Sequence, residues 1–249
     1  MRFADKKAGR PTTLSELARK VRLSKPATYV LLKTLEGAGL VARDATARYG
    51  LSWGLYELGS AVIRPLDLAR AARMRLDHLA ERTGEILLLG ILHHGTVLYL
   101  DRGQRDDAFA MVANVGRRSP LHTTASGKVL LAHQDSAYID AYVGGPLVQA
   151  TSVTITDAAV LASELELVRK RGYATCSQEQ EIGLSSLAVP VGSACGAVQA
   201  SLAIAAPTSR FTGQVLPGLL AELTNTAAAI TRSLTAEAQV EPSRAELSR

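Results

Sequence analysis

Disulfide chemistry has almost nothing to work with in this chain: its 249 residues contain two cysteines, Cys176 and Cys195. Two thiols without metal-type spacing exclude a disulfide framework and a cysteine zinc site, and they suit a reducing compartment. Aromatic residues are scarce, with one Trp and three Phe. No apolar run reaches the ~20 residues of a membrane span, and no charged start leads into an apolar signal core. The expected setting is cytoplasmic, with no membrane partner.

Catalytic constellations are missing as well. His93 and His94 are adjacent. On a strand they would face opposite ways, which makes them poor joint metal ligands. Gly127-Lys128 lacks the upstream glycine and following Ser or Thr of a phosphate loop. There is no Gly-x-Ser-x-Gly elbow. Glu179 and Glu181 lie two apart with no convergent partner. His78 belongs with Arg75, Asp77 and Arg82 on a surface. His122 and His133 flank Gly127-Lys128 and are candidates for lining a pocket. No catalytic residue, metal or cofactor is expected. An enzyme acting on a small acid stays as the weakest alternative.

What is present begins with charge. Of 28 basic and 23 acidic residues, 11 and 5 lie in residues 1–60, so that segment is +6 and the remainder −1. A basic segment of this size attracts a polyanion. The same segment holds Thr12 to Leu51, TTLSELARKVRLSKPATYVLLKTLEGAGLVARDATARYGL. Thr13 and Glu16 fit a capping box. Leu14, Leu17, Ala18 and Val21 follow on one helical face. Arg22-Leu23 turns the chain, Ser24 caps a second helix, and Pro26 sits in its first turn, where a missing N–H costs nothing. Ala27, Val30, Leu31 and Leu35 make the expected second apolar stripe. Glu36 to Gly39 stops that helix. Arg43 to Arg48 lie between two strand-like flanks and form a wing.

The pattern predicts a winged helix-turn-helix that reads double-stranded operator DNA. Its second helix should enter the major groove with Ser24, Lys25, Thr28, Tyr29 and Lys33, while Arg43 and Arg48 on the wing meet phosphate or the minor groove. A plain helical hairpin with solvated charges is the bland alternative. Met1 to Asp5 offers at most one turn of the helix that ordinarily precedes such a module. The expectation is either a weakened DNA-binding unit or a start upstream of Met1.

Ser52 to Arg64 is helical and rich in large apolar groups, Pro65 breaks it, and Leu66 to Thr83 forms another helix. Two readings stand for the first: a linker helix packed on a partner subunit, or a buried intrachain helix. Beyond it, strands are expected at Glu85 to Leu92, Thr96 to Arg102, Phe109 to Val115, Tyr173 to Ser177, Ser186 to Val191 and Ala197 to Ala205. Helices are expected at Ala125 to His133, Ser136 to Val143, after Asp157 to Arg171, and from Thr212 to Leu234. This is an α+β chain, with a sensor-like sheet-and-helix domain behind the winged helix. The expected division is 1–51 DNA-binding, 52–83 linking and dimerising, 84–235 effector-binding, and 236–249 a polar, frayed tail.

The order of several short segments resembles the IclR family of bacterial transcriptional regulators. They are Leu14 to Ala18, Leu35 to Val41, Tyr49 to Leu51, Val115 to His122, Thr124 to Lys128, Arg171 to Tyr173 and Ala188 to Val191. The resemblance implies a GAF-like α/β effector domain, homodimers or dimers of dimers, and a small organic acid as ligand. It places the effector at the helix start Ala125, Ser126 and Gly127, where free N–H groups suit an anion. It also points to Cys176, Ser186, Ala203 and Ala205, where the family more often has Asp, Cys, Ser and Ser. The wall is therefore less polar than usual, which favours a larger, partly apolar and even aromatic acid. Glu181 to Val191 resembles the regulators of protocatechuate and β-ketoadipate catabolism. A DNA-binding architectural protein without a ligand is the other alternative, and the nearly neutral residues 61–249 weigh against it.

Overall fold

The computed structural model describes residues 11–63, 67–103, 114–193 and 196–246. The chain divides into two compact units, Met1–Leu66 and Asp67–Arg249.

In the first unit, strand β1 (Thr12–Thr13) leads into helix α1 (Leu14–Val21), followed by α2 (Lys25–Gly37), β2 (Val41–Arg43), β3 (Arg48–Leu51) and α3 (Trp53–Ile63). The capping box forms: the Glu16 amide donates to Thr13 Oγ1 and the Thr13 amide donates to Glu16 Oε2 at 3.0 Å. Arg22 closes α1 in the left-handed region, at φ 57°. Ser24 Oγ accepts from the Ala27 amide, and Pro26 lies in the first turn of α2. Gly39, at φ +71°, turns the chain out of α2. It is also approached closely: a Cβ on Gly54 would lie 2.4 Å from the Gly39 carbonyl oxygen, so α3 can start there only with glycine. β3 pairs with both β2 and β1, a third strand that the alternation of residues does not reveal.

The apolar stripe of α2 is rotated from the expected one. Thr28 and Leu32 are its buried residues, whereas Val30 and Leu31 are more than half exposed. Threonine takes the inward place because its hydroxyl donates to the Ser24 carbonyl at 3.0 Å, which satisfies it without solvent. In α3, Trp53 and Tyr56 are largely exposed. The expectation about Met1 to Asp5 lies outside the described residues.

The second unit runs α4 (Asp67–Thr83), β4 (Ile86–His93), β5 (Thr96–Gly103), β6 (Arg118–Pro120), α5 (Ala125–Ala132), α6 (Ser136–Val143), α7 (Ala158–Arg171), β7 (Ala174–Ser177), β8 (Leu184–Gly192), β9 (Val198–Pro207) and α8 (Leu216–Glu246). Its six strands form one antiparallel sheet in the order β6-β5-β4-β9-β8-β7. Both faces are covered, so the strands read as nearly continuous apolar runs. Leu87, Leu89, Leu202 and Ile204 pack with α4 and α8. Their neighbours Ile86, Leu88, Ala203 and Ala205 point the other way and pack with α5 and α7. Strand β9 thus gives large side chains to one face and alanines to the other. The alanine face leaves room above the sheet.

Two expectations change here. The third strand, expected at Phe109 to Val115, lies mostly outside the described residues; Val115-Gly116 is a turn and the strand is Arg118–Pro120. The final helix continues to Glu246, past the Ala236 at which fraying is expected. Among the described residues, no helix is long and apolar enough to cross a membrane, and no cluster of His, Cys, Asp or Glu could hold a metal ion.

Candidate functional site

Helix α5 supplies the core of the site. Thr124 caps it, with its Oγ1 accepting from the Gly127 amide at 3.0 Å and its carbonyl accepting from Lys128. The two amides before Gly127 have no partner within the helix, as at every helix start. All eight residues of α5 are buried. Gly127 permits this, because a Cβ there would sit 2.2 Å from the Leu121 carbonyl oxygen.

Sheet register brings the other positions beneath that helix start. Cys176 pairs with Ser186, and Ser186 pairs with Ala205, in one row across β7, β8 and β9. Ala203 lies one side-chain repeat along and pairs with Leu88 of β4. Ser126, Cys176, Ser186, Ala203 and Ala205 consequently line one cavity. Ala125 and Gly127 do not line it; Ala125 is fully buried in the core and Gly127 packs on Leu121. The free volume is about 30 Å³, close to one water molecule. Seating an organic acid requires the lining side chains to move apart.

Most of the residues that line the cavity carry polar groups. Ser126 is 1% exposed and its Oγ has no hydrogen-bond partner. Cys176 donates its thiol to the Thr123 carbonyl at 3.1 Å. Burial, aided by the nearby Glu179 charge, pushes this thiol up to about 11, so it is a neutral donor. Thr123 Oγ1 donates to Gln180 Oε1, which ties the helix start to the loop after β7. Behind the cavity, Lys128 Nζ meets Glu179 Oε1 at 2.6 Å in a buried ion pair. Glu179 Oε2 has no partner.

Residues that sequence reasoning missed complete the lining, among them Tyr99, Arg117, Ser119, Thr124 and Gln180. Tyr99 comes from β5, and burial raises its phenol pKa while Ser126 and Thr124 oppose the shift. Its backbone holds the following turn: the Gly116 amide donates to the Tyr99 carbonyl at 2.8 Å, and the Tyr99 amide donates to the Arg117 carbonyl at 3.1 Å. That pairing sets Arg117 at the rim. The histidines are elsewhere. His122 joins the Tyr142 hydroxyl to the Val148 carbonyl, and His133 bonds the Val129 carbonyl at the end of α5.

A second cleft of about 370 Å³ opens between β6, the β4–β5 turn and α6. Its polar side chains are already engaged: His122 as above, and Arg118 with His93 and Thr96. The smaller cavity, with its unpartnered hydroxyl, is the better ligand site.

On the first unit, Ser24, Lys25 and Tyr29 lie on the exposed face of α2, joined by Val30. Thr28 does not; it is 3% exposed. Lys33 is exposed but forms an ion pair with Glu36 at 2.8 Å. On the wing, Arg43 lies over the Tyr49 ring, 5.7 Å from its centroid, and Arg48 Nη1 donates to the Pro11 carbonyl at 3.4 Å. Asp44 folds the tip by accepting from Thr46 and Arg48. Those bonds hold its carboxyl below the usual range, the one from the Arg48 amide most strongly.

Comparison with known proteins decides what carries these two faces. The family pattern "Bacterial transcriptional regulator IclR C-terminal" matches residues 60–232, and "IclR helix-turn-helix domain" matches residues 6–45. The chain belongs to the IclR family. Its members are DNA-binding transcriptional regulators, not enzymes, and this IclR chain shares their α+β architecture. The regulator KdgR of Dickeya chrysanthemi is 36% identical over 200 residues, covering 80% of this chain and 66% of that protein. KdgR of Escherichia coli is 35% identical over 212 residues, covering 84% and 81%. An IclR homolog from Microbacterium hydrocarbonoxydans, solved in complex with 4-hydroxybenzoate, superposes with a TM-score of 0.84 at 26% identity, covering 93% of this chain and 94% of that one.

Proposed function

We propose that this IclR-family regulator binds its operator through the exposed face of α2 and the wing, under the control of a small organic acid held beneath α5. The observation that carries this reading is the convergence of Ser126, Cys176, Ser186, Ala203 and Ala205 on one cavity, with an unpartnered hydroxyl at a buried helix start. Ser24, Lys25, Tyr29, Lys33, Arg43 and Arg48 are the DNA-facing set. Thr28 supports the helix from inside. The cavity is nearly closed, so an acid that enters must shift side chains on α5 and the sheet. A ligand that binds one arrangement better than another shifts the balance between them.

Leu88, Leu184, Ala203 and Ala205 in the lining support an acid with an apolar part, and the 4-hydroxybenzoate complex of the Microbacterium homolog supports an aromatic one. Exposed Trp53, Tyr56 and Leu58 on α3 support pairing with a second copy, as two half-sites on DNA require. The protein works in the cytoplasm, where its DNA is. A gel shift with the DNA upstream of its own gene tests the first part. Calorimetry with protocatechuate, 4-hydroxybenzoate and β-ketoadipate tests the second; heat from one of them supports the reading, and no heat from any removes aromatic-pathway control.

A further inference from the structure

Helix α2 is poor in side chains that read bases by paired hydrogen bonds. Its 13 residues, Lys25–Gly37, include no Arg, Asn or Gln. Those are the side chains best shaped for two parallel bonds to the edge of a guanine or an adenine. The polar groups that are present are largely engaged. Ser24 Oγ accepts from the Ala27 amide, and the Thr34 hydroxyl donates to the Val30 carbonyl at 3.1 Å. Thr28 is buried, and Lys33 is paired with Glu36 at 2.8 Å.

The centre of the outward face is apolar instead. Val30 lies two positions from each of the buried residues Thr28 and Leu32, and at about 100° per residue that puts it on the opposite side of the helix. It is 63% exposed. Pro26 and Thr34, one turn before and after it, are exposed as well, so this row offers aliphatic groups. In the major groove each thymine presents a C5-methyl, against which an aliphatic side chain can pack. The surrounding charge selects the partner. Residues 1–60 are +6, and Lys25 stands on the same helix. Duplex DNA, a polyanion with methyl groups in its groove, complements both features; an apolar protein surface complements only one.

We propose that Val30 is a base-reading residue of this regulator, its methyl groups packing on the C5-methyl of an operator thymine. This rests on the operator reading above and adds a specificity residue to it.

Fluorescence anisotropy of the full chain with its upstream DNA tests the proposal by removing single methyl groups. Thymines are replaced one at a time by deoxyuridine, which keeps every hydrogen-bonding group of the base. At one or more positions the unaltered protein should lose about 3- to 5-fold in affinity, the worth of one buried methyl. Val30→Ala should bind the natural DNA more weakly by a similar factor and lose nothing further at that position. Its melting temperature should be unchanged, because the side chain is exposed. The deoxyuridine scan uses the unaltered protein, so it stands even where the variant folds poorly. A scan in which no thymine matters, or a penalty that persists in full in Val30→Ala, overturns the proposal and leaves the operator reading intact. So does a Val30→Ala protein with an altered oligomeric state and an unchanged deoxyuridine penalty, which assigns the patch to a second copy of the chain. Failure to bind the upstream DNA at all overturns both.

Discussion

Two helices in this molecule begin in the same way and meet opposite surroundings. α2 starts on the Ser24 hydroxyl and α5 on the Thr124 hydroxyl, each accepting from the amide three residues on. Around α2 the first turn is exposed, with Lys25 beside it. Around α5 every residue is buried, and Ser126 Oγ points into a small cavity. A helix start favours negative charge in both places. Burial decides which anion can use it. The open start suits a long polyanion whose contacts add up and weaken with salt. The closed one suits a single small anion whose every atom is inspected.

Breaking the buried side should cost most. Lys128→Met strands the Glu179 carboxylate in the core and should lower stability by about 3–5 kcal/mol in urea unfolding. Adding Glu179→Gln should recover much of that; a double variant no better than the single one would show that the pair is not the cause. Next, Gly127→Ala drives a methyl into the Leu121 carbonyl and should cost about 1–3 kcal/mol by the same assay. On the open side, changes should register in binding rather than folding. Lys25→Ala and Arg43→Ala should each lower the salt slope of operator binding by about one. Thr28→Val should leave that affinity nearly unchanged, because the side chain faces inward; a large loss would return Thr28 to the DNA face.

The smallest expected effect is a pH dependence at α1. The Thr13 amide, and then the Thr13 hydroxyl, hold the Glu16 carboxyl below its ordinary 4.5. Its contribution to stability is therefore present above about pH 4.5 and is lost as the pH falls through the lower folded value. Glu16→Gln should flatten the acid limb of the melting profile below that point.

Much of this contrast is readable from local chemistry. The caps at Thr13, Ser24, Asp157 and the stop at Gly39 are set by side chains within a few residues, and the helices end where those residues stand. The cavity positions on β7, β8 and β9 follow from residue alternation once the strands pair. What escaped is non-local. Tyr99 faces α5 only because β4 and β5 shift register between Leu89 and Gly90. Arg117 reaches the rim through backbone bonds to Tyr99, eighteen positions earlier in the numbering of the chain. Thr28 is polar by composition yet buried, because its hydroxyl finds a carbonyl one turn back. Hydropathy alone assigns it to the wrong face.

An acid in the closed site is expected to change what the open site does. Fluorescence anisotropy with labelled upstream DNA measures this directly, with and without saturating 4-hydroxybenzoate or lactate. The DNA affinity should change several-fold with at least one of them, in line with ordinary coupling energies. An acid that binds the protein and leaves the DNA affinity unchanged would contradict it.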